Sequence, residues 1–279
     1  MPVPDPHSNP AGQTDLPTSV EVRVQRWRDE RTAGATDVVA EELPVALRYQ
    51  GTPYVVMLAT PADLEDLAIG FTVSEAIVAS PDEIRHVRQQ ATGDALEVNI
   101  DIAPPRFAEL LQRQRNLTGR TGCGLCGAET VEGAIRQPPP VRAGLCVSLV
   151  ALHEALQELT ARQPLNERTG SVHAAAWVLP DEGIRIVRED VGRHNALDKL
   201  IGALIQSKAD IASGYVIITS RASYEMVQKA ATVGVQLLVA ISAPTGLAVR
   251  LAETCELTLV GFARPGQHVV YSHPHRLRA

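Results

Sequence analysis

Residues 215–262 read YVIITSRASYEMVQKAATVGVQLLVAISAPTGLAVRLAETCELTLVGF, in which three short apolar runs alternate with two segments of helical periodicity. Strands are predicted at Tyr215–Thr219, Leu237–Ile241 and Leu257–Phe262, and helices are predicted to begin at Ser223 and Thr245. Short buried strands that alternate with helices pair in parallel, because each helix crosses over one face of the sheet. The stretch therefore predicts parallel pairing of these three strands.

The residues before this stretch extend the same sheet. Extended runs at 171–178 and 184–187 precede a helix that contains Leu197, Leu200, Ile201 and Leu204, and Ser148 is placed to cap another helix. We expect a mixed sheet with covering helices over residues 147–279. The predicted fold class is α/β, with α+β character overall, because a smaller α+β region precedes this domain.

That N-terminal region is predicted over residues 20–146. Extended runs at 45–49 and 54–58 predict a hairpin, and Thr60 as N-cap with Pro61 behind it predicts a helix as far as Ala79. A strand at 96–102 and a helix at 107–115 are expected to follow. Residues 1–19 contain five prolines and hardly any large apolar residue, so we expect a disordered tail there.

Size and charge limit the classes of function. The chain has 279 residues and a mass of 30.0 kDa, which suits two domains of roughly 100 to 200 residues each. A formal net charge of −6 argues against general binding to duplex DNA, which depends on neutralising many phosphates. No apolar stretch approaches the roughly 18 residues of a membrane span, and no signal peptide is recognisable. We expect a cytoplasmic protein without nucleic-acid or membrane partners.

Two cysteines three residues apart, Cys123 and Cys126, lie in the glycine-rich stretch 119–128, which is expected to be a mobile loop. Such a pair can bind zinc, exchange disulfides or carry a persulfide. Zinc needs two more ligands, and Cys146 and Cys255 stand far apart in the sequence, the latter in a predicted helix interior. A thioredoxin-like site needs a strand before the pair, and none is predicted. A nucleophilic cysteine on a swinging loop is favoured, with a structural or regulatory pair as the alternative.

Polar residues gather where three predicted strands end and helices begin, at 188–199, 220–223 and 242–246. Ligands of open α/β sheets bind at such edges, where helix N-termini offer free N–H groups to anions. Each junction alone is explained by helix capping, whereas the three together favour a phosphate-bearing ligand. Arg193, Arg221 and Arg264 are the candidates for its contacts. His173 is interpreted as a hydrogen-bonded core residue.

Short motifs spread along the chain match one known family. They are EELP at 41–44, DLAIGF at 66–71 with SE at 74–75, GCGLCG at 122–127, VHAAA at 172–176, REDVGRHNALDK at 188–199, SAPT at 242–245 and LVGFAR at 259–264. On these residues the chain resembles the formate dehydrogenase accessory sulfurtransferases, the FdhD family. The resemblance extends from about residue 40 to 272.

The resemblance implies an enzyme, a sulfurtransferase with a cysteine persulfide intermediate. Such a protein accepts sulfur from a cysteine desulfurase and passes it to the molybdenum cofactor, Mo-bis(molybdopterin guanine dinucleotide), which serves formate dehydrogenase. The molybdenum cofactor is cargo, and no tightly held metal of the protein's own is expected. The family also implies a cytidine-deaminase-like fold for the larger domain, and a homodimer.

The resemblance also assigns roles to residues. Cys123 would carry the persulfide, and Cys126 would assist it. The implied cofactor-binding residues are Phe262, Ala263, Arg264, Pro265, Gly266 and Gln267, together with Arg193, His194 and Arg221 at the helix starts.

Two other functions fit parts of the sequence. A zinc-dependent deaminase needs H-x-E at one helix start and P-C-x-x-C at the next, but these starts read RHNA at 193–196 and SRAS at 220–223. A cofactor-binding chaperone that moves no sulfur is the remaining alternative. The substitution Cys123→Ala distinguishes this chaperone from a sulfurtransferase, because it removes dehydrogenase activation only if sulfur is transferred.

Overall fold

The computed structural model describes residues 16–93, 95–117, 136–142 and 144–279. Its first element is a long β-hairpin, here called the arm, formed by β1 (Ser19–Arg28) and β2 (Arg31–Ala40). The two strands pair antiparallel along their whole length, and they pair with no other described strand. The arm is absent from the sequence-based prediction, because polar and charged residues fill most of β1.

A four-stranded sheet and two helices follow the arm. The strands are β3 (Leu43–Tyr49), β4 (Thr52–Ala59), β5 (Ile84–Thr92) and β6 (Ala95–Ile102), in the order β4-β3-β6-β5, and the helices are α1 (Leu64–Ser74) and α2 (Pro104–Leu117). Alternate strand residues form the core, where Val45, Leu47 and Val98 are fully buried. Leu16 also packs against this core. The predicted hairpin and the strand near residue 96 are confirmed.

Helix α1 is shorter than predicted at both ends. It begins at Leu64 rather than after Thr60, because Asp63 has a left-handed φ of 51°, and Thr60 is engaged elsewhere. The Thr60 amide donates to Asp190 at 3.0 Å, and its hydroxyl accepts from the Val191 amide at 3.2 Å. The helix ends at Ser74, because Ala76 has a φ of 49°, which an α-helix cannot continue.

The C-terminal region contains the predicted strands and helices, together with four further elements. In chain order, the elements of this region are β7 (Val147–Ser148), α3 (Leu149–Ala161), α4 (Pro164–Thr169), β8 (His173–Leu179), β9 (Gly183–Asp190), α5 (Arg193–Gln206), β10 (Tyr215–Ile218), α6 (Tyr224–Thr232), β11 (Leu237–Ala240), α7 (Gly246–Thr254), β12 (Thr258–Arg264), β13 (Gln267–Ser272) and β14 (Leu277–Arg278). Of these, β7, α4, β13 and β14 were not predicted. Ser148 and Thr245 are side-chain N-caps, as predicted. Cys255 follows α7 as its C-cap. The prediction that Cys255 lies in a helix interior is therefore wrong.

Six of these strands form one sheet, in the order β13-β12-β11-β10-β8-β9. Strands β10, β11 and β12 are parallel, as predicted. Strand β8 is antiparallel to both β10 and β9, so β9 runs in the same direction as β10. Helices α5, α6 and α7 contribute to the core on one face of the sheet, and α3 contributes to the core on the other. The mixed α+β fold is thereby confirmed, and none of the described helices is long and apolar enough to span a membrane.

Helices α1 and α5 hold the two regions together by close packing of their backbones. A Cβ on Gly70 of α1 would lie 1.7 Å from the carbonyl oxygen of Asp198 in α5. A Cβ on Gly202 of α5 would lie 2.0 Å from the carbonyl oxygen of Asp66 in α1. Because only glycine fits at both positions, the end of α1 is held beside the first turns of α5.

Candidate functional site

The three predicted strand-to-helix junctions lie at one edge of the six-stranded sheet. Because β9, β10 and β11 run in the same direction, their carboxyl ends share that edge. The second and third junctions also touch, since the Thr245 amide donates to the Ala222 carbonyl at 3.0 Å. The Phe262 amide in β12 donates to the Ser242 carbonyl at 3.2 Å. The edge is therefore a continuous row of loops and helix N-termini, a geometry that suits anions.

A buried ion pair fixes the first junction. The Asp190 carboxylate lies 2.6 Å from the Lys199 ammonium, and both side chains are fully buried. The carboxylate also accepts from the Gly192 amide at 2.8 Å and from Asn195 Nδ2 at 2.9 Å. With the Thr60 amide as a further donor, this satisfied network holds the loop before α5 in one shape.

Arg193 and His194 begin α5 and carry buried nitrogen atoms without partners. Among the described side chains, Arg193 Nε and His194 Nε2 are two of the buried atoms that have no hydrogen-bond partner. Burial lowers the pKa of His194 to about 4, with further contributions from Arg193 and Lys229. The imidazole is therefore neutral near pH 7, and Glu225 lies 3.9 Å from its Nε2. A buried nitrogen left unpaired is costly, so a bound ligand would be its natural partner.

The other predicted ligand residues lie along the same edge. Arg221 is exposed in the junction after β10. Arg264 ends β12, and its guanidinium donates to the carbonyl groups of Ile241 and Ala263. His173 begins β8 opposite Asp190, and burial lowers its pKa, as does the nearby Arg193. His173 therefore belongs to the edge and is only half-buried, which corrects its interpretation as a core residue.

The predicted cofactor segment is the hairpin that joins β12 to β13. Phe262 is 49% exposed with a φ of 50°, whereas Ala263 is fully buried, so its side chain is not accessible to a ligand. Pro265 and Gly266 form the turn, and Gln267 is exposed at the start of β13. The structure thus places Phe262 and Gln267 at the surface, on the same edge of the sheet as Arg193 and His194, with three strands between β12 and β9.

Cys123 and Cys126 lie within residues 118–135, outside the described residues. The described chain on both sides of that segment is anchored at the end of α1. Before it, Arg113 donates to the Ala76 carbonyl at 3.3 Å. After it, the Arg136 guanidinium contacts both the carbonyl and the carboxylate of Glu75, and the Arg136 carbonyl accepts from the Tyr224 hydroxyl at 2.6 Å. Both flanks of the cysteine segment therefore lie at the turn that follows Ser74.

A buried cluster of charges connects this turn to α5 and α6. The Lys229 ammonium of α6 lies 2.8 Å from Glu75 and 2.9 Å from Asp198 of α5, and it donates to the Ser74 hydroxyl at 3.0 Å. Burial lowers the pKa of Lys229, but the two carboxylates outweigh it and hold the pKa above its ordinary value. Burial raises the pKa of Glu75, but Lys229 and Arg136 outweigh it and hold the pKa below its ordinary value. The cysteine flanks are thus joined to the helix that starts with Arg193 and His194.

Sequence reasoning missed this cluster, although a signal for it was present. Asp198 and Lys199 lie between Leu197 and Leu200 in a helix that is buried on nearly every side, and Lys229 lies in a similar position in α6. Charged residues at buried helical positions require partners, because an unpaired buried charge is strongly destabilising. Among the described residues, no group of three or more histidine, cysteine, aspartate or glutamate side chains could hold a metal ion.

Comparisons with known proteins all point to one family. A model described as the FdhD/NarQ family matches residues 40–278. A relative from Cupriavidus necator, named sulfur carrier protein FdhD, is 50% identical over 278 residues, covering 100% of this chain and 96% of the relative. A protein of the same name from Xanthomonas campestris pv. campestris is 52% identical over 261 residues, covering 94% of this chain and 93% of that protein.

One solved structure supports the fold. It is described as a formate dehydrogenase accessory protein from Desulfotalea psychrophila, and it matches with a TM-score of 0.74 over 94% of this chain and 100% of that chain. Because the sequence identity is 23%, the likeness bears on the fold alone.

Proposed function

Because the chain belongs to the FdhD/NarQ family, we propose that it is a sulfur carrier that acts in the maturation of a formate dehydrogenase. In detail, a cysteine desulfurase donates sulfur, Cys123 carries it as a persulfide, and the sulfur passes to Mo-bis(molybdopterin guanine dinucleotide), which is the cargo. The protein acts as a homodimer and as a sulfurtransferase. Relatives that match nearly the whole chain and are named sulfur carriers support the general role.

The observation that carries the detailed proposal is where the cysteine segment is attached. Both flanks of residues 118–135 contact the turn at Glu75 and Ala76. Through Lys229 and Asp198, that turn is held against α5, whose first residues are Arg193 and His194. A carrier must bring its persulfide to the bound acceptor, and attachment beside an anion-binding edge gives the cysteines that access.

The edge supplies groups that suit a cofactor rich in phosphate. Arg193, Arg221 and Arg264 can neutralise phosphate charge, and guanidinium groups bind phosphate in bidentate geometry. Neutral His194 can exchange a hydrogen bond with a polar ligand group without adding charge. Exposed Phe262 offers an aromatic face on which a guanine or pterin ring can stack.

The proposed transfer balances without an external oxidant. The Cys123 thiolate attacks the terminal sulfur of the donor's persulfide; a new S–S bond forms, and the donor cysteine leaves as a thiolate. Attack of the Cys126 thiolate on the Cys123 sulfur then releases the terminal sulfur as sulfide and leaves a Cys123–Cys126 disulfide. The two thiols thus supply the two electrons that convert sulfane sulfur to sulfide. A cellular dithiol must reduce the disulfide before the next cycle.

Intact-protein mass spectrometry tests the persulfide. The protein is incubated with a cysteine desulfurase and cysteine, and wild type is compared with Cys123→Ala, Cys126→Ala and Cys146→Ala. We expect added sulfur mass in wild type and its loss in Cys123→Ala. Cys146 is an exposed thiol and serves as the matched control, which should load as wild type does. Absence of added mass in wild type with an active desulfurase would favour a chaperone that binds the cofactor without moving sulfur.

A further inference from the structure

A pair of histidines joins helix α3 to strand β13. His153 of α3 and His268 of β13 are both half-buried, and their rings lie 5.2 Å apart in an edge-to-face arrangement. Nε2 of His153 lies 3.1 Å from Nδ1 of His268, which is the distance of a hydrogen bond in which one ring nitrogen donates and the other accepts. The two residues are 115 positions apart in the sequence, so the contact exists only in the folded protein.

The pair lies beside a weak point in the hairpin that joins β12 to β13. Strand β13 is at the edge of the six-stranded sheet, and β12 is its neighbour there. A register shift interrupts the pairing of the two strands between Gly261 and Arg264, and His268 faces this interruption. The contact with His153 therefore holds β13 at the place where its pairing with β12 is irregular.

Helix α3 gives His153 a fixed position. Leu152 and Leu156, on either side of the histidine, are buried in the core of the sheet. The Ser148 hydroxyl caps the helix by accepting from the Ala151 amide at 3.1 Å. His153 thus projects from a helix that is held by both its core contacts and its cap.

The hairpin carries groups of the proposed cofactor site in a strained backbone. Phe262 is exposed and has a φ of 50°, and its amide donates to the Ser242 carbonyl at 3.2 Å. Arg264 donates to the Ile241 carbonyl in the same junction. Strained backbone persists only where the surrounding structure holds it in place. The direction of the Phe262 ring therefore depends on the contacts that fix the hairpin.

We propose that His153 is a positioning residue for the cofactor: through His268 it holds the hairpin in the shape that binds the guanine dinucleotide. His153 acts from α3, on the face of the sheet opposite α5 and α6, and does not touch the ligand. A binding segment that is already ordered binds more tightly, because less conformational freedom is lost on binding. The inference rests on the proposed function and adds a residue to its cofactor site.

Protonation of the pair makes the contact testable. A neutral or singly protonated pair can form the hydrogen bond, whereas a doubly protonated pair has only donors. Burial lowers the pKa of His268, and a protonated His153 lowers it further. The second proton therefore binds only in acid, where it breaks the contact. The other ionisable side chains on the elements that meet here, none of which shifts the pKa of His268, are Glu154 and Glu158 of α3, Arg264 of β12 and Tyr271 of β13.

Calorimetric titration with GDP, which carries guanine and phosphate groups, tests the proposal. At about pH 7.5 we expect His153→Leu to weaken GDP binding roughly three- to tenfold, the effect of one lost hydrogen bond. His153→Gln should stay within about twofold of wild type, because its amide can both donate and accept. At about pH 5 the order changes: His153→Gln should bind GDP roughly threefold more tightly than wild type, since glutamine keeps the bond when His268 is protonated. A contact that serves stability alone would not move this pH profile.

A control and a second measurement complete the test. His86→Gln, at an exposed histidine of β5, should match wild type at both pH values. Hydrogen exchange without ligand should be faster at residues 262–268 in His153→Leu than in wild type or in His153→Gln. Wild-type GDP affinity in His153→Leu, or equal pH profiles in wild type and His153→Gln, would overturn the positioning role and leave the proposed cofactor in place. A wild type that does not bind GDP would overturn the cofactor site itself, and the positioning role with it.

Discussion

At the scale of single residues, His194 is partly buried, and one of its ring nitrogens has no hydrogen-bond partner. Its Nε2 is buried and unpaired, and Gly192, two residues before it, leaves no room for a side chain because Asn195 Nδ2 would lie 2.8 Å from the added Cβ. The backbone here is therefore shaped by the Asp190 network, while the imidazole contributes nothing to that network. A histidine placed in this way is better explained by contact with a ligand than by a contribution to the stability of the fold.

The lowered pKa of His194 predicts a pH dependence of stability. The unfolded chain takes up a proton near the ordinary pKa of 6.5, whereas the folded protein does so only near about 4. As the pH falls through this window, the unfolded state binds more protons and the free energy of unfolding decreases, until it levels off below the folded pKa. Urea unfolding at several pH values should show that His194→Gln loses part of this dependence. His86→Gln, at an exposed histidine, is the control, and a wild-type pH profile in His194→Gln would contradict the prediction.

The buried Lys229 cluster predicts a large loss of stability from one substitution. In Lys229→Met, Asp198 stays buried, with 2% of its side chain exposed, and loses its cation. We expect a loss of about 3–5 kcal/mol in the free energy of unfolding, measured by urea unfolding. Adding Asp198→Asn removes the uncompensated charge and should recover part of that loss. Lys208→Met, at an exposed lysine, should change stability by less than about 0.5 kcal/mol. Equal losses in Lys229→Met and in the double variant would show that the charge is not the cause.

The position of a residue could be predicted from the sequence where its interactions are with neighbours along the chain, and not where its partners are distant in the sequence. Arg193 and Arg221 could be placed at one edge, because a strand end and a helix start are local signals. The Glu75–Lys229 contact joins residues far apart in the sequence, and no local pattern encodes it. His173 was interpreted wrongly because its neighbours are apolar, although the strand register sets it opposite Asp190.

At the scale of elements, the crossing of α1 and α5 determines how the site is built. The two helices approach so closely that backbone touches backbone at Gly70 and Gly202. The hydrogen bond from Ser74 to Asp198, at 2.7 Å, lies at the same crossing. The position of the cysteine flanks relative to His194 therefore depends on two glycines that contact no ligand.

Gly70→Ala tests that crossing. The added Cβ would lie 1.7 Å from the Asp198 carbonyl oxygen, which belongs to the backbone and cannot rotate away. We expect the helices to separate and the free energy of unfolding to fall by about 3 kcal/mol or more, as measured by urea unfolding. The control is Gly34→Ala in the arm, where an added Cβ would meet no atom within 4 Å. If the two alanine variants are equally stable, the close approach of the helices is not required.

The starts of the helices show how far a local sequence signal can predict structure. Ser148 and Thr245 cap helices as predicted, because their side chains bond amides only three residues away. Thr60 has the same local signature and caps nothing, because its hydroxyl and amide bond Val191 and Asp190 instead. The arm was missed for a similar reason, since its strands have the composition of a solvated surface and pair only with each other.

At the scale of the whole molecule, two sheets with separate cores are joined by the packing of α1 against α5 and by polar and charged contacts around that crossing. Asp190 and Lys199 contact Thr60, and Lys229 contacts Glu75. The parallel order of β10, β11 and β12 could be read from the sequence, whereas the way the N-terminal region sits on α5 could not. Contacts between regions depend on surfaces that exist only after each region has folded.

The contacts between Arg136 and the turn after Ser74 predict that Arg136 influences the delivery of sulfur more than the loading of sulfur onto Cys123. Arg136 fixes the flank of the cysteine segment to Glu75 and Tyr224, whereas the desulfurase needs only access to Cys123. In Arg136→Met we expect persulfide loading, measured by mass, to stay within about twofold of wild type, and activation of formate dehydrogenase to fall roughly tenfold, because misplacing a reacting group by about 1 Å can cost up to 100-fold. Arg142→Met, at an exposed arginine six residues after Arg136, should match wild type in both assays. Equal falls in loading and delivery would mean that Arg136 supports the segment in general and does not direct it toward the edge.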